Sequence, residues 1–172
     1  MARTLLDTKV TTDYGQLDLI WTEDGGFDGD DDRSFRGQVN GLVGAASGEG
    51  VYLNLASQAG AHVTILALEH PPESAAASWE DVVEVSIVIP AGARMRWSTW
   101  ADENGGDLDL PDGTYRARVS ARGRDAARDA EDDAAPDSYL VELWPAPAAE
   151  DAIVRTGSVD AAYWHREWGA RR

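Results

Sequence analysis

Three aspartates at every second position, Asp28, Asp30 and Asp32, stand in the segment Glu23-Asp-Gly-Gly-Phe-Asp-Gly-Asp-Asp-Asp-Arg33. That spacing of carboxylates resembles the start of a calcium loop, which supplies oxygen ligands from alternate residues. A calcium loop also needs glycine at its sixth position and a bidentate glutamate at its twelfth; counted from Asp28, those positions hold Arg33 and Val39. Asp102, Asn104 and Gly106 begin a similar series that arrives at Gly113 where the glutamate belongs. Glycine and aspartate favour exposed turns, so both segments read first as solvated loops, and calcium-assisted binding is the secondary reading.

Groups for covalent or acid–base catalysis are sparse. There is no cysteine, which excludes disulfides, thiolate nucleophiles and cysteine-based zinc sites. His62 lies beside an apolar run, His70 precedes Pro71-Pro72, and His165 lies among aromatics, with no pair at helical ligand spacing. Ser47 lacks the strand–turn–helix setting of a nucleophile elbow, and Gly44–Gly50 lacks the Lys-Ser/Thr of a phosphate loop. No catalytic residue, metal site or cofactor is assigned, and the chain reads as a binding protein rather than an enzyme.

The most informative charged feature is a stripe of arginines. In Gly113-Thr-Tyr-Arg-Ala-Arg-Val-Ser-Ala-Arg-Gly-Arg124, Tyr115, Ala117, Val119 and Ala121 share one strand face, and Arg116, Arg118, Arg122 and Arg124 share the other. Arg94 and Arg96 join them if the preceding strands form a hairpin. The commoner arrangement is pairing within the sheet, with Glu84 and Glu142 as partners. The sharper one is a bipolar surface, in which acidic loops (Asp28, Asp30, Asp31 and Asp32; Asp129, Glu131, Asp132 and Asp133) meet a basic partner while the arginines hold the loops in place. Tyr163, Trp164 and Trp168 near the end form an aromatic patch that either covers an open end of the core or clamps a flat ligand such as a sugar.

These groups need a scaffold, and the hydrophobic pattern supplies one made of strands. Alternation marks Thr4–Thr11, Gln16–Trp21, Trp79–Ile89 (Val83, Val85, Ile87 and Ile89 inward), Arg94–Ser98, Gly113–Arg124 and Ser138–Trp144. Gly50–Leu55 and Ala61–Glu69 are apolar runs at hairpin spacing, and Pro90-Ala-Gly-Ala93 would turn Trp79–Ile89 into a second hairpin with Arg94–Ser98. A short strand lies between the turns of Asp102–Gly113. Asp125–Asp137 is rich in Ala and Asp and reads as a mobile insertion loop or frayed helix. The pattern predicts one all-β domain over residues 1–172, an antiparallel two-sheet β-sandwich of about eight strands, with an open barrel as the alternative.

Composition limits the partners. In 172 residues, 15 Lys and Arg face 31 Asp and Glu, a formal net charge of -16 that repels phosphate backbones and anionic lipid. Direct nucleic-acid or membrane binding is therefore not expected, whereas a basic protein would be attracted. No run approaches the ~18 apolar residues of a membrane span, and Met1-Ala-Arg-Thr-Leu-Leu-Asp7 lacks the apolar stretch of a secretory signal, so a cytoplasmic location is expected.

Trp79-Glu-Asp-Val-Val-Glu-Val-Ser-Ile-Val-Ile-Pro90, followed by Leu108-Asp-Leu-Pro-Asp-Gly-Thr-Tyr-Arg-Ala-Arg-Val119, resembles the competence-locus nuclease inhibitors of bacteria and related small immunity-type proteins. The shared features span about residues 79–124: a Val/Ile-rich strand, a central hairpin and a Leu-Pro-x-Gly-x-Tyr turn into the next strand. The resemblance implies a cytoplasmic inhibitor that binds and neutralises a nuclease or toxin. It assigns no individual functional residue. The alternative from the residues alone is a small-molecule or carbohydrate-binding β-sandwich built around the tail aromatics.

Overall fold

A computed structural model describes residues 1–131 and 136–172. Its strands are β1 (Ala2–Thr11), β2 (Gln16–Ile20), β3 (Val43–Gly44), β4 (Gly50–Asn54), β5 (Gly60–Leu68), β6 (Asp81–Ile89), β7 (Arg96–Thr99), β8 (Gly105–Asp107), β9 (Gly113–Arg122), β10 (Ser138–Pro145) and β11 (Ala152–Arg155). Three α-helices, α1 (Asp31–Phe35), α2 (Arg124–Arg128) and α3 (Val159–Glu167), and one 3-10 turn at Trp100–Asp102 join them. The chain is thus mainly β. Six strands form one sheet in the order β1-β5-β10-β9-β6-β11, and five form another in the order β3-β4-β2-β7-β8.

The two sheets share one hydrophobic core. Val83, Val85, Ile87 and Ile89 of β6 and Tyr115, Ala117, Val119 and Ala121 of β9 meet Leu17 and Leu19 of β2 and Val51 and Leu53 of β4 in a single cluster. These are the inward faces that strand alternation anticipates. Leu17, Leu53, Ile65 and Leu143, drawn from both sheets, are at most 1% exposed.

The expectation of about eight antiparallel strands needs three corrections. Among the described residues there are eleven, the unanticipated ones being the short edge pieces β3 and β11, while β8 is the short strand expected between the turns of Asp102–Gly113. One neighbouring pair, β5 and β10, runs parallel, with Ser138 opposite His62 and Leu143 opposite Ala67. Neither expected hairpin forms: β4 and β5 lie in different sheets, as do β6 and β7. Turn signals mark where a strand ends, but a half-buried strand satisfies its apolar face equally well in either sheet, and non-local packing makes the choice.

The segment beginning at Asp125 is not wholly loop. Its first residues continue α2, with Ala127 buried, while positions 132–135 fall outside the described residues. The Asp125 carboxylate accepts from the N–H groups of Val159 (3.1 Å) and Asp160 (2.8 Å) at the start of α3. Ser158 caps the same helix, its hydroxyl accepting from Ala161 N–H at 3.0 Å and donating to Asp81 at 2.6 Å.

Beneath this helix start lies a buried polar network. Arg124, with no exposed surface, bonds to Asp160 (2.9 Å), the Asn54 carbonyl (2.7 Å) and the Tyr139 hydroxyl (3.0 Å). Tyr139 donates to Asp137 at 2.8 Å, and Asp137 also accepts from Ser57 N–H. The network ties both sheets to α2 and α3. Further along α3, a Cβ at Gly41 would fall inside contact distance of the Trp164 carbonyl, so only glycine lets this loop lie against the helix. Gly41 N–H donates to His165 Nδ1 at 3.0 Å across the same contact.

Candidate functional site

The face of the five-stranded sheet turned away from the core forms the floor of a cleft of ≈ 580 Å³. Strand alternation puts Gln16, Asp18 and Ile20 of β2 there, beside Arg96 and Ser98 of β7, because Leu17 and Leu19 face inward. The loop after β2 folds over this floor and contributes Glu23, Asp24, Gly26, Phe27 and Asp28. Glu49, Arg33 and Asp102 complete the rim. Six carboxylates therefore stand against two guanidinium groups, a formal charge of −4.

Asp18 anchors the loop to the floor. One of its oxygens accepts from Phe27 N–H at 3.2 Å and the other from Gln16 Nε2 at 2.6 Å, while the same Gln16 nitrogen reaches the Phe27 carbonyl at 3.1 Å. The side chain is 2% exposed, and burial raises its pKa to about 6 against the pull of the two hydrogen bonds. Sequence reading missed this residue. In Gln16-Leu-Asp-Leu-Ile20 an alternating aspartate looks like an ordinary solvated position, and only the fold of the Gly-rich loop over it makes it interior. The one local signal is Gly25-Gly26, where an added Cβ at Gly26 would press on the Asp18 carboxylate.

The first acidic loop contributes to this site but is partly neutralised. Asp30 caps α1 by accepting from Arg33 N–H at 3.0 Å, and Asp28 pairs with Arg33 at 3.3 Å. Arg33 also bonds Glu49, and Arg171 bonds both Asp31 and Asp32. Of the second acidic group, Asp129 pairs with its neighbour Arg128 and Glu131 is exposed, whereas Asp132 and Asp133 lie outside the described residues. Among the described residues, no three His, Asp or Glu side chains converge in a way that could hold a metal ion.

The arginine stripe is divided by the fold. Glu84, directly opposite Arg118 in the sheet, pairs with Arg118 at 2.9 Å and with Arg116 at 3.5 Å. The chain after β5 and after β10 lies against these arginines at Glu73 and Ala149: Arg118 donates to the Glu73 carbonyl at 2.6 Å and Arg116 to the Ala149 carbonyl at 3.1 Å. Arg122 is exposed with its guanidinium 4.9 Å from the Trp79 ring. Arg124 leaves the strand altogether and is buried in the Asp160 network, so it presents nothing to a partner. Glu142 is opposite Arg118 on the other neighbouring strand. Arg96 belongs to the other sheet, where it bonds Asp102, so no hairpin adds it to the stripe.

The tail aromatics are spent mostly on packing. Trp168 lies 5.4 Å from Phe35, 5.8 Å from Tyr52, 5.9 Å from Phe27 and 4.3 Å from Trp164, ring centre to ring centre. Phe27 stacks flat on Tyr52 at 3.9 Å. Of the three expected rings, Tyr163 is the most open, 42% exposed, with Arg166 over its face at 5.3 Å. Sequence reading also passed over Tyr14 and Trp100, which form an exposed edge-to-face pair at 5.2 Å beside the cleft residues Thr99, Ala101 and Asp102.

No protein-family model matches the chain, and no characterised protein matches it in sequence. Two solved structures are similar to it in fold. One is ComJ from Bacillus subtilis, an inhibitor of the DNA-degrading activity of NucA, with a TM-score of 0.61 and 14% identity over 85% of this chain and 99% of ComJ. The other is the product described as crocagin biosynthetic gene J, with a TM-score of 0.51 and 17% identity over 86% of this chain and 99% of that one. The likeness to a competence-locus nuclease inhibitor that residues 79–124 carry in sequence therefore extends, as a likeness of fold, over most of the chain.

Proposed function

We propose that this protein is a non-enzymatic inhibitor or immunity-type protein of the bacterial cytoplasm that binds and neutralises a basic partner such as a nuclease. The observation that carries the reading is the cleft on the five-stranded sheet, where six carboxylates face two arginines in a chain of net charge -16. Such a surface raises the encounter rate with a positively charged protein, and a nuclease presents positive charge where it holds its substrate. The fold likeness to ComJ agrees with this reading. Asp28 on the cleft rim, with Asp30 to Asp32, Asp129 and Glu131 elsewhere, adds to the same negative field. Arg116 and Arg118 serve the scaffold instead, holding the segments that cover the opposite sheet.

The test is inhibition. Purified protein is mixed at equal concentration with NucA and with any nuclease encoded beside it, and DNA degradation is followed at 50 and 300 mM salt. Loss of cleavage with at least one enzyme at low salt, relieved as salt rises, is the expected result. Undiminished cleavage by every such nuclease at low salt overturns the reading.

A further inference from the structure

We propose that Tyr14 and Trp100 are the apolar anchor through which this protein docks on its basic partner, ringed by carboxylates that match the partner's charge. The inference rests on the inhibitor reading and adds to it the place of contact. Tyr14 is 65% exposed and Trp100 38%, on the loops that follow β1 and β7. Large aromatic rings left in water at adjacent loop tips are a cost to a free protein, and rings of this kind dominate the affinity of protein interfaces.

The loops hold the pair in a fixed presentation. Tyr14, Ala101 and Asp102 have φ of 60°, 54° and 55°, a left-handed backbone that non-glycine residues adopt only when their surroundings impose it. The imposing contacts are present. Thr12 Oγ1 donates to the Gln16 carbonyl at 2.7 Å and accepts from Trp100 N–H at 3.4 Å, which joins the two loops. Asn104 Nδ2 donates to the Thr11 carbonyl at 3.0 Å, and Asn104 N–H to Thr99 Oγ1 at 3.0 Å. Rings held this way lose little freedom on binding, so more of their contact energy reaches the affinity.

Charge selects the occupant. Asp13 precedes Tyr14, and Asp102 and Glu103 follow Trp100; all three are exposed, and Asp102 also belongs to the −4 cleft. An anionic lipid surface is repelled from such a rim. The surface of a basic protein fits both halves, with an apolar spot for the rings and lysines or arginines for the carboxylates.

The test uses the full chain against NucA and any nuclease encoded beside it, with inhibition by the unaltered protein measured first. Trp100→Ala and Tyr14→Ala should each weaken inhibition at least tenfold, with thermal melting and near-ultraviolet circular dichroism preserved, while Trp100→Phe keeps most of it. Tyr163→Ala, an exposed ring on α3, should leave inhibition unchanged. Equal inhibition by the Tyr14→Ala/Trp100→Ala double variant and the unaltered chain overturns the anchor but leaves the inhibitor reading standing. Absence of inhibition by the unaltered chain overturns both.

Discussion

The Arg124 guanidinium and the Asp160 carboxylate meet at 2.7 Å with 0% and 3% of their side chains exposed, joining the first residue of α2 to the first turn of α3. Charges so deeply placed are held by their partners, and removing one strands the other in a medium that solvates it poorly.

Arg124→Met should therefore destabilise the fold by about 3–5 kcal/mol, as should Asp160→Asn, in urea unfolding at pH 7. The double variant should cost clearly less than the sum, because the second change removes a charge already orphaned by the first. Strict additivity would mean that the two groups do not act as a pair.

Asp18 makes stability depend on pH. Its unfolded value is near 3.8 and its folded value about 6, so between them the native state keeps a proton that the unfolded chain has released. Stability is then lost as pH rises through that window, by up to ~3 kcal/mol in all, since each pH unit between the two values is worth ~1.4 kcal/mol. Asp18→Asn should gain most at pH 7.5 relative to the unaltered chain and least near pH 4, since an amide oxygen can still accept from Phe27 N–H. His165, whose pKa burial lowers, works in the opposite sense, losing stability as pH falls below its unfolded value near 6.5. Comparing Asp18→Asn with the unaltered chain cancels that contribution. A stability difference that stays flat from pH 4 to 7.5 would contradict the assignment to Asp18.

Gly41→Ala should cost about 1–3 kcal/mol through overpacking against the Trp164 carbonyl. The emission of Trp164 and Trp168 should shift to the red as α3 moves off the Gly41 loop. An unshifted spectrum with unchanged stability would show that the loop yields freely.

Reversing charge at the mouth of the cleft tests the electrostatic half of the function. Glu23→Lys with Asp24→Lys should slow association with an inhibited nuclease by about tenfold at low salt and flatten its salt dependence, with dissociation little altered. Melting temperature should hold, since neither residue makes an ion pair among the described residues. Stopped-flow mixing at several salt concentrations separates these outcomes, and an unchanged association rate would remove the cleft from the encounter.

What could be read in the sequence was what alternation encodes. β6 and β9 appear nearly at their observed bounds, and the pairing of Glu84 with Arg118 follows from which side chains share a face. The choice of sheet could not be read, because Pro90-Ala-Gly-Ala93 signals a reversal without saying that the chain crosses the core before pairing again. Arg124 escapes the alternation for a related reason: the strand ends at Arg122, and Gly123, at φ 78°, turns the chain into α2 so that the last arginine points inward. Asp18 and the Tyr14–Trp100 pair belong to no motif. One becomes interior and the others exposed only through loops that cover or brace them from elsewhere in the chain.

The parallel pairing of β5 with β10 has a bearing on how the molecule comes to exist. Within the six-stranded sheet, β5 with β1 and β9 with β6 are two separate ladders, and β10 alone bridges them. On the ribosome, everything up to Arg122 is made before that bridge, so the nascent chain carries the facing edges of β5 and β9 unpaired until β10 emerges. A protein arranged like this seals itself late, and the interval before sealing is when chaperones, or a premature stop codon, would decide its fate.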